Sequence, residues 1–126
     1  NLRCVGGKPP QEVPLWLAAA NVLLVLGTQA NEYSWRETSP MKLFEYMAAR
    51  RPIVASATPA NREIVSEEEA ALYKPDDVTS LIGAIENVLS DPAAAAARAE
   101  RAAARVAEWT WSKRARRTLD FMKTLC

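Results

Sequence analysis

The segment from Glu37 to Ala49 places a serine, a lysine and two carboxylates at helical spacing. Ser39 reads as an N-cap and Pro40 as the first helical residue, so a helix starts there, after the apolar run Val22 to Leu26 and the polar loop Gly27 to Thr38. A helix that starts at the carboxyl end of a parallel strand starts where open α/β sheets bind ligands. Its unpaired first-turn N–H groups and the positive end of its dipole favour an anion, and Lys42 adds a full charge in the same turn. A phosphate or diphosphate suits that chemistry. Glu45 lies five residues beyond Pro40, about 7.5 Å along the axis, roughly the distance from a bound diphosphate to the ribose diol of the same nucleotide. A carboxylate suits a diol because it accepts two hydrogen bonds. A plainer alternative stands beside this: Lys42 and Glu45 also form an i, i+3 pair on a helix that buries Leu43, Phe44, Met47 and Ala48.

The elements that must position this helix alternate along the chain. Apolar runs at Leu2 to Val5, Val22 to Leu26, Ile53 to Ser56 and Ala71 to Tyr73 read as strands, each followed by a segment with helical spacing. That alternation predicts an α/β fold with a parallel sheet and flanking helices. The helices are expected at Glu12 to Ala19, Pro40 to Ala49, Ala60 to Val65 and Val78 to Leu89. Asp91 before Pro92 caps another, running to about Trp109. A last one from Trp111 lines up Trp111, Ala115, Thr118, Leu119 and Met122 in one stripe. The alanines from Ala93 to Ala97 read only as good helix formers.

Length and composition exclude several classes. With 126 residues, 49% hydrophobic and 25% charged, the chain suits one packed domain and neither a disordered nor a collagen-like one. A net charge of +1 lacks the excess that a nucleic acid partner demands. With no histidine and only Cys4 and Cys126, no zinc site of the usual type and no serine–histidine triad can be assembled. No apolar stretch approaches the about 20 residues of a membrane span, so a cytoplasmic location with reduced thiols is the expectation. The small net charge covers two local fields, because residues 60–91 carry eight acids and two bases, and residues 98–123 eight bases and three acids. Glu67, Glu68 and Glu69 read as a solvated face, and so do Arg98, Arg101, Arg105, Arg114, Arg116 and Arg117, with contact to anionic lipid or to a phosphorylated partner as the alternative for the arginines.

The segment from Ser39 to Ala48 resembles the nucleotide-sugar site of retaining GT-B glycosyltransferases, the large glycogen synthase-like and mannosyltransferase-like family known as glycosyl transferases group 1. In that family two glutamates are separated by seven residues, as Glu37 and Glu45 are here. The likeness extends from Val5-Gly6-Gly7-Lys8-Pro9 and the run Glu12 to Val22, through Arg62 to Val65 and Leu72 to Asp77, to Trp109-Thr110-Trp111.

The resemblance implies a Rossmann-like part of the C-terminal, nucleotide-sugar-binding half of a GT-B fold over residues 1–126, with closing helices over 91–126. It implies that Glu37 faces the donor sugar as the catalytic carboxylate. Ser39, Met41 and Lys42 hold the diphosphate, Glu45 binds the ribose, and Gly7 and Lys8 lie near the base. Sugar transfer with retention follows from it, from a nucleoside diphosphate sugar to a saccharide or lipid acceptor, with no cofactor and no metal. A nucleotide-sugar 2-epimerase of the same architecture and a non-catalytic binding module are the rival readings.

Two departures accompany the likeness. Arg50 stands where the family usually has a glycine that ends the helix with φ above zero. Basic phosphate ligands that the family places earlier in the domain are missing, as is the acceptor half, which predicts a fragment that is inactive alone. A strand order of 3-2-1-4-5-6 would separate Leu2 to Val5 from Val22 to Leu26, leave unpaired edges and favour self-association.

Overall fold

The computed structural model describes residues 2–125; Asn1 and Cys126, the second of the two cysteines, lie outside the described residues. Strand β2 (Ile53–Ser56) is buried along its whole length, as a run of apolar residues covered on both faces must be. It pairs in parallel with β1 (Leu23–Val25) on one side and β3 (Ala71–Tyr73) on the other, with Leu24 beside Val54 and Val54 beside Ala71. Parallel neighbours need crossovers, and these carry α2 (Met41–Ala48) between β1 and β2 and α3 (Pro59–Arg62) between β2 and β3. Helix α1 (Val13–Ala19) precedes the sheet, and α4 (Val78–Ser90), α5 (Pro92–Val106) and α6 (Trp111–Lys123) follow it. The expected α/β architecture with a parallel sheet is the one observed.

The alternation of β2 divides the interior in two. Ile53 and Ala55 point to one face with Val25, where they meet Leu43 and Met47 of α2 and Ala102 of α5. Val54 points to the other, against Val88 of α4 and Ala95 of α5. Leu43 and Met47 are fully buried, and each stabilises the seat of α2 on the sheet by about 1.5–3 kcal/mol through burial alone.

Several local expectations change in three dimensions. Leu2 to Val5 forms no strand: Leu2 is 95% exposed, and β1 has no partner on its outer edge among the described residues. A strand needs a neighbour for its N–H and C=O groups, and this run has none. The alanines of α5 do more than favour a helix. Ala95, Ala99 and Ala102 form a buried stripe whose small side chains let α5 lie close to α2 and α4. Glu69 leaves the solvated acidic face; it is 7% exposed and accepts from the Ser66 N–H at 2.7 Å and from Arg105 at 3.2 Å. Arg101 likewise donates to the Glu68 carbonyl at 2.7 Å, so two of the arginines read as solvated fasten α5 to this turn. Helix α6 forms as expected, but its apolar stripe stays exposed.

Candidate functional site

Beyond the carboxyl ends of β1 and β2 the chain closes tightly around Gly27. A Cβ on Gly27 would sit 2.6 Å from Ser56 Oγ and 3.0 Å from Thr58 Cγ2, so only glycine allows this approach. Ser56 is held in place by Asn61, whose Nδ2 donates to both its carbonyl and its hydroxyl oxygen at 2.9 Å. Thr58 caps α3 by accepting from the Asn61 N–H at 3.3 Å. Next to them, burial pushes the Tyr73 phenol pKa up, against the opposing effect of the Ser56 side chain and the Gly27 backbone.

On this floor opens a cleft of about 350 Å³, walled by Ser39, Met41 and Lys42 on one side and by Thr58 and Asn61 on the other. Three of the sequence-predicted site residues therefore meet at one place. The helix start differs from expectation. Pro40, not Ser39, is the N-cap residue, with φ −74° and ψ 91°, and no side chain caps α2. Pro40 is buried with an extended backbone, so the helix begins one residue later, at Met41. The consequence favours anion binding, because the first hydrogen bond at this end is Leu43 N–H to the Pro40 carbonyl at 2.8 Å. The N–H groups of Met41 and Lys42 have no acceptor among the described residues.

Glu45 lies farther along α2, exposed, where two grooves meet. One, of about 480 Å³, runs between α1 and α2 and includes Lys8, Pro14 and Leu17. The other, of about 540 Å³, is walled by Phe44, Trp109, Trp111 and Arg114. Phe44 and Trp109 pack with ring centroids 5.5 Å apart. Lys8 holds its Nζ 4.8 Å from the centre of the Trp16 ring. Gly7 is exposed and lines none of these hollows, while the neighbouring Gly6 takes the left-handed turn at φ 68°. Glu37 is the outlier. It ends a single π-helical turn, Tyr33–Glu37, exposed and outside the cleft.

A fourth hollow, of about 520 Å³, continues from Gly27 and Ser34 to Tyr73, Asp76 and Asp77 at the end of β3. Asp77 caps α4 by accepting from the Ser80 N–H at 2.9 Å, which holds its carboxyl below the usual range. Asp76 reaches the other way, with Oδ2 accepting from the Gln29 N–H at 2.8 Å. Gly27, Ser34, Thr58, Asn61 and Asp76 were not singled out from the sequence. Thr58-Pro59 does carry the N-cap and first-turn proline signal that could have located the far wall. Among the described residues no three His, Cys, Asp or Glu side chains are grouped to hold a metal ion.

The three-stranded parallel sheet with its flanking helices is Rossmann-like and fits the C-terminal half of a GT-B fold. The chain belongs to the glycosyl transferases group 1 family, which matches residues 1–106. Sucrose-phosphate synthase from Thermosynechococcus elongatus superposes with a TM-score of 0.80 at 29% identity, over 96% of this chain and 29% of that one. The C-terminal domain of LpcC, a glycosyl transferase group 1 family protein from Francisella tularensis, superposes with a TM-score of 0.65 at 21% identity, over 82% of this chain and 50% of that one. The chain thus spans half or less of the length of these structures. No curated protein matches the sequence. No helix among the described residues is long and apolar enough to cross a membrane.

Proposed function

We propose that this chain is the donor-binding part of a retaining glycosyltransferase, which moves a sugar from a nucleoside diphosphate sugar to a saccharide, lipid or other acceptor held by a further domain. The observation that carries this reading is the pair of unpaired N–H groups at Met41 and Lys42, opening with the Lys42 charge into a cleft at the carboxyl ends of β1 and β2. In glycosyl transfer the bond from the anomeric carbon to the diphosphate breaks, and negative charge grows on the leaving oxygen. Fixed N–H dipoles and Lys42 stabilise that charge as it forms, without reorganisation. Glu45, one to two turns along the helix, receives the ribose hydroxyls, and Lys8 closes the far side of the same groove, near the base. In this reading Glu37, which precedes Ser39 by two residues and lies outside the cleft, faces the sugar of the seated donor. Retention and the absence of a metal requirement belong to this reading as well.

The test is a thermal-shift and calorimetric titration of the chain with UDP, GDP, ADP and dTDP and with their sugar conjugates. A ligand at a hundredfold excess over its Kd stabilises by about 2.7 kcal/mol, and one nucleotide should do so. If none of the four nucleotides or their conjugates shifts the transition, the donor site is not there.

A further inference from the structure

The segment from Thr28 to Thr38 joins β1 to α2 and ends next to Glu37. Its hydrogen bonds are nearly all internal: Thr28 N–H to Ser34 Oγ at 3.3 Å, Ala30 N–H to Thr28 Oγ1 at 3.0 Å, Ser34 N–H to Asn31 Oδ1 at 3.2 Å, and Thr38 Oγ1 to the Tyr33 carbonyl at 2.8 Å. Among the described residues a single hydrogen bond leaves the segment, from the Gln29 N–H to Asp76 Oδ2, across 47 residues of sequence. Asp76 makes it from a left-handed backbone with φ 60°, a conformation that most residues with a Cβ avoid and that Asp and Asn accept more readily. Its neighbours hold that turn from both sides, because Pro75 is buried and Asp77 caps α4. The two adjacent aspartates therefore have separate tasks, one within its own helix and one on another loop.

The geometry points to Asp76 as a positioning residue for the donor site: its carboxylate anchors the loop that carries Glu37, and thereby sets the preference for a sugar-bearing nucleotide over the bare diphosphate. This rests on the donor-binding reading above. The start of α2 does not depend on the same anchor, since Leu43 and Met47 are buried against the sheet and Pro40 is itself buried. Loss of the anchor should therefore loosen Glu37 and leave the amides of Met41 and Lys42 where they are.

Three variants separate the tether from charge and strain. Asp76→Ala removes the acceptor, Asp76→Asn keeps an acceptor and tolerates the left-handed turn without the charge, and Asp76→Gly removes the acceptor while relieving the backbone. In titrations with the nucleoside diphosphate that binds best and its sugar conjugate, Asp76→Ala and Asp76→Gly should weaken the conjugate by about three- to tenfold, the worth of one hydrogen bond, and leave the diphosphate within about twofold. Asp76→Asn should restore the preference. By NMR, the Gln29 amide should exchange faster in the alanine and glycine variants and stay protected in the asparagine variant. An unchanged preference in Asp76→Ala overturns the proposal, and so does a normal Asp76→Gly beside an impaired Asp76→Ala, which would assign the effect to strain. If no nucleotide binds the unaltered chain, the donor-site reading fails and the positioning role falls with it. The Gln29 amide would then show separately whether the tether itself exists.

Discussion

Arg50 Nη1 lies 2.6 Å from Glu100 Oε2, and it does so from a left-handed residue with φ 53° that follows Ala49, the C-cap of α2. The ion pair fastens the helix that carries the candidate diphosphate site to the middle of α5. Both side chains are well over half exposed, so the pair contributes about 0–1 kcal/mol, while a non-glycine residue in this conformation costs roughly 1–2 kcal/mol.

Strain therefore outweighs the ion pair at this position, and Arg50→Gly is expected to stabilise the chain by about 0.5–1 kcal/mol. Arg50→Ala, which keeps the strain and loses the pair, should destabilise it slightly. Urea denaturation of the three proteins checks the order; a glycine variant less stable than the parent would show that the pair is the larger effect.

Gly27→Ala should destabilise by about 1–3 kcal/mol, because the added methyl meets a Ser56 hydroxyl that has no room to move. Ser56 is fully buried and bonded to Asn61, so the strain passes into the floor of the cleft. Adding Ser56→Ala to Gly27→Ala should recover part of the loss in a double-mutant cycle. Strictly additive changes would mean that the two residues do not compete for this space.

Glu45→Ala should weaken the free nucleoside diphosphate about tenfold, by loss of the charge-assisted bonds to the ribose. Glu37→Ala should spare the free nucleotide and weaken only the sugar conjugate. Calorimetry with both ligands distinguishes them, and equal losses of free nucleotide would contradict the separate roles.

Acid should act on Glu69. Burial works to raise its pKa, but hydrogen bonds from the Ser66 N–H and hydroxyl, together with Arg105, outweigh that and hold the carboxyl below the usual range. A folded pKa below the unfolded one, about 4.3 for glutamate, makes the stabilisation complete above the unfolded value and removes it as pH falls through the folded one. Glu69→Gln should therefore cost about 1–3 kcal/mol at pH 7 and progressively less below about pH 4. Thermal unfolding from neutral pH to pH 3 measures this; a pH-independent difference would assign the effect to packing.

Chelation should leave nucleotide binding unchanged, because the proposed diphosphate site uses N–H groups and Lys42. EDTA and magnesium should give the same Kd within about twofold, while Lys42→Ala should weaken binding about tenfold. A strict need for magnesium would sink the metal-free account of the leaving group.

Local signals in the sequence were enough for the elements whose stability is local. Ile53 to Ser56 reads as a buried strand because the run is short, begins with two β-branched residues and follows Pro52. Asp91 caps α5 through the Ala94 N–H at 3.0 Å, an interaction across three residues that the Asp-Pro pair announces. The meeting of Ser39, Met41 and Lys42 at one cleft follows from the same short range, once a helix begins after a parallel strand. Folding in three dimensions decided the rest. Leu2 to Val5 has strand chemistry and forms no strand, because a ladder needs a neighbour that its own residues cannot supply. Glu69 is drawn inward by an arginine 36 residues away, Arg50 meets Glu100 across 50, and Asp76 reaches Gln29 across 47. Contacts over such separations leave no periodicity in the chain: Gln29 and Asp76 meet only because the parallel sheet brings the carboxyl ends of β1 and β3 to one edge, and Arg50 and Glu69 meet their partners only because α5 packs across the opposite ends.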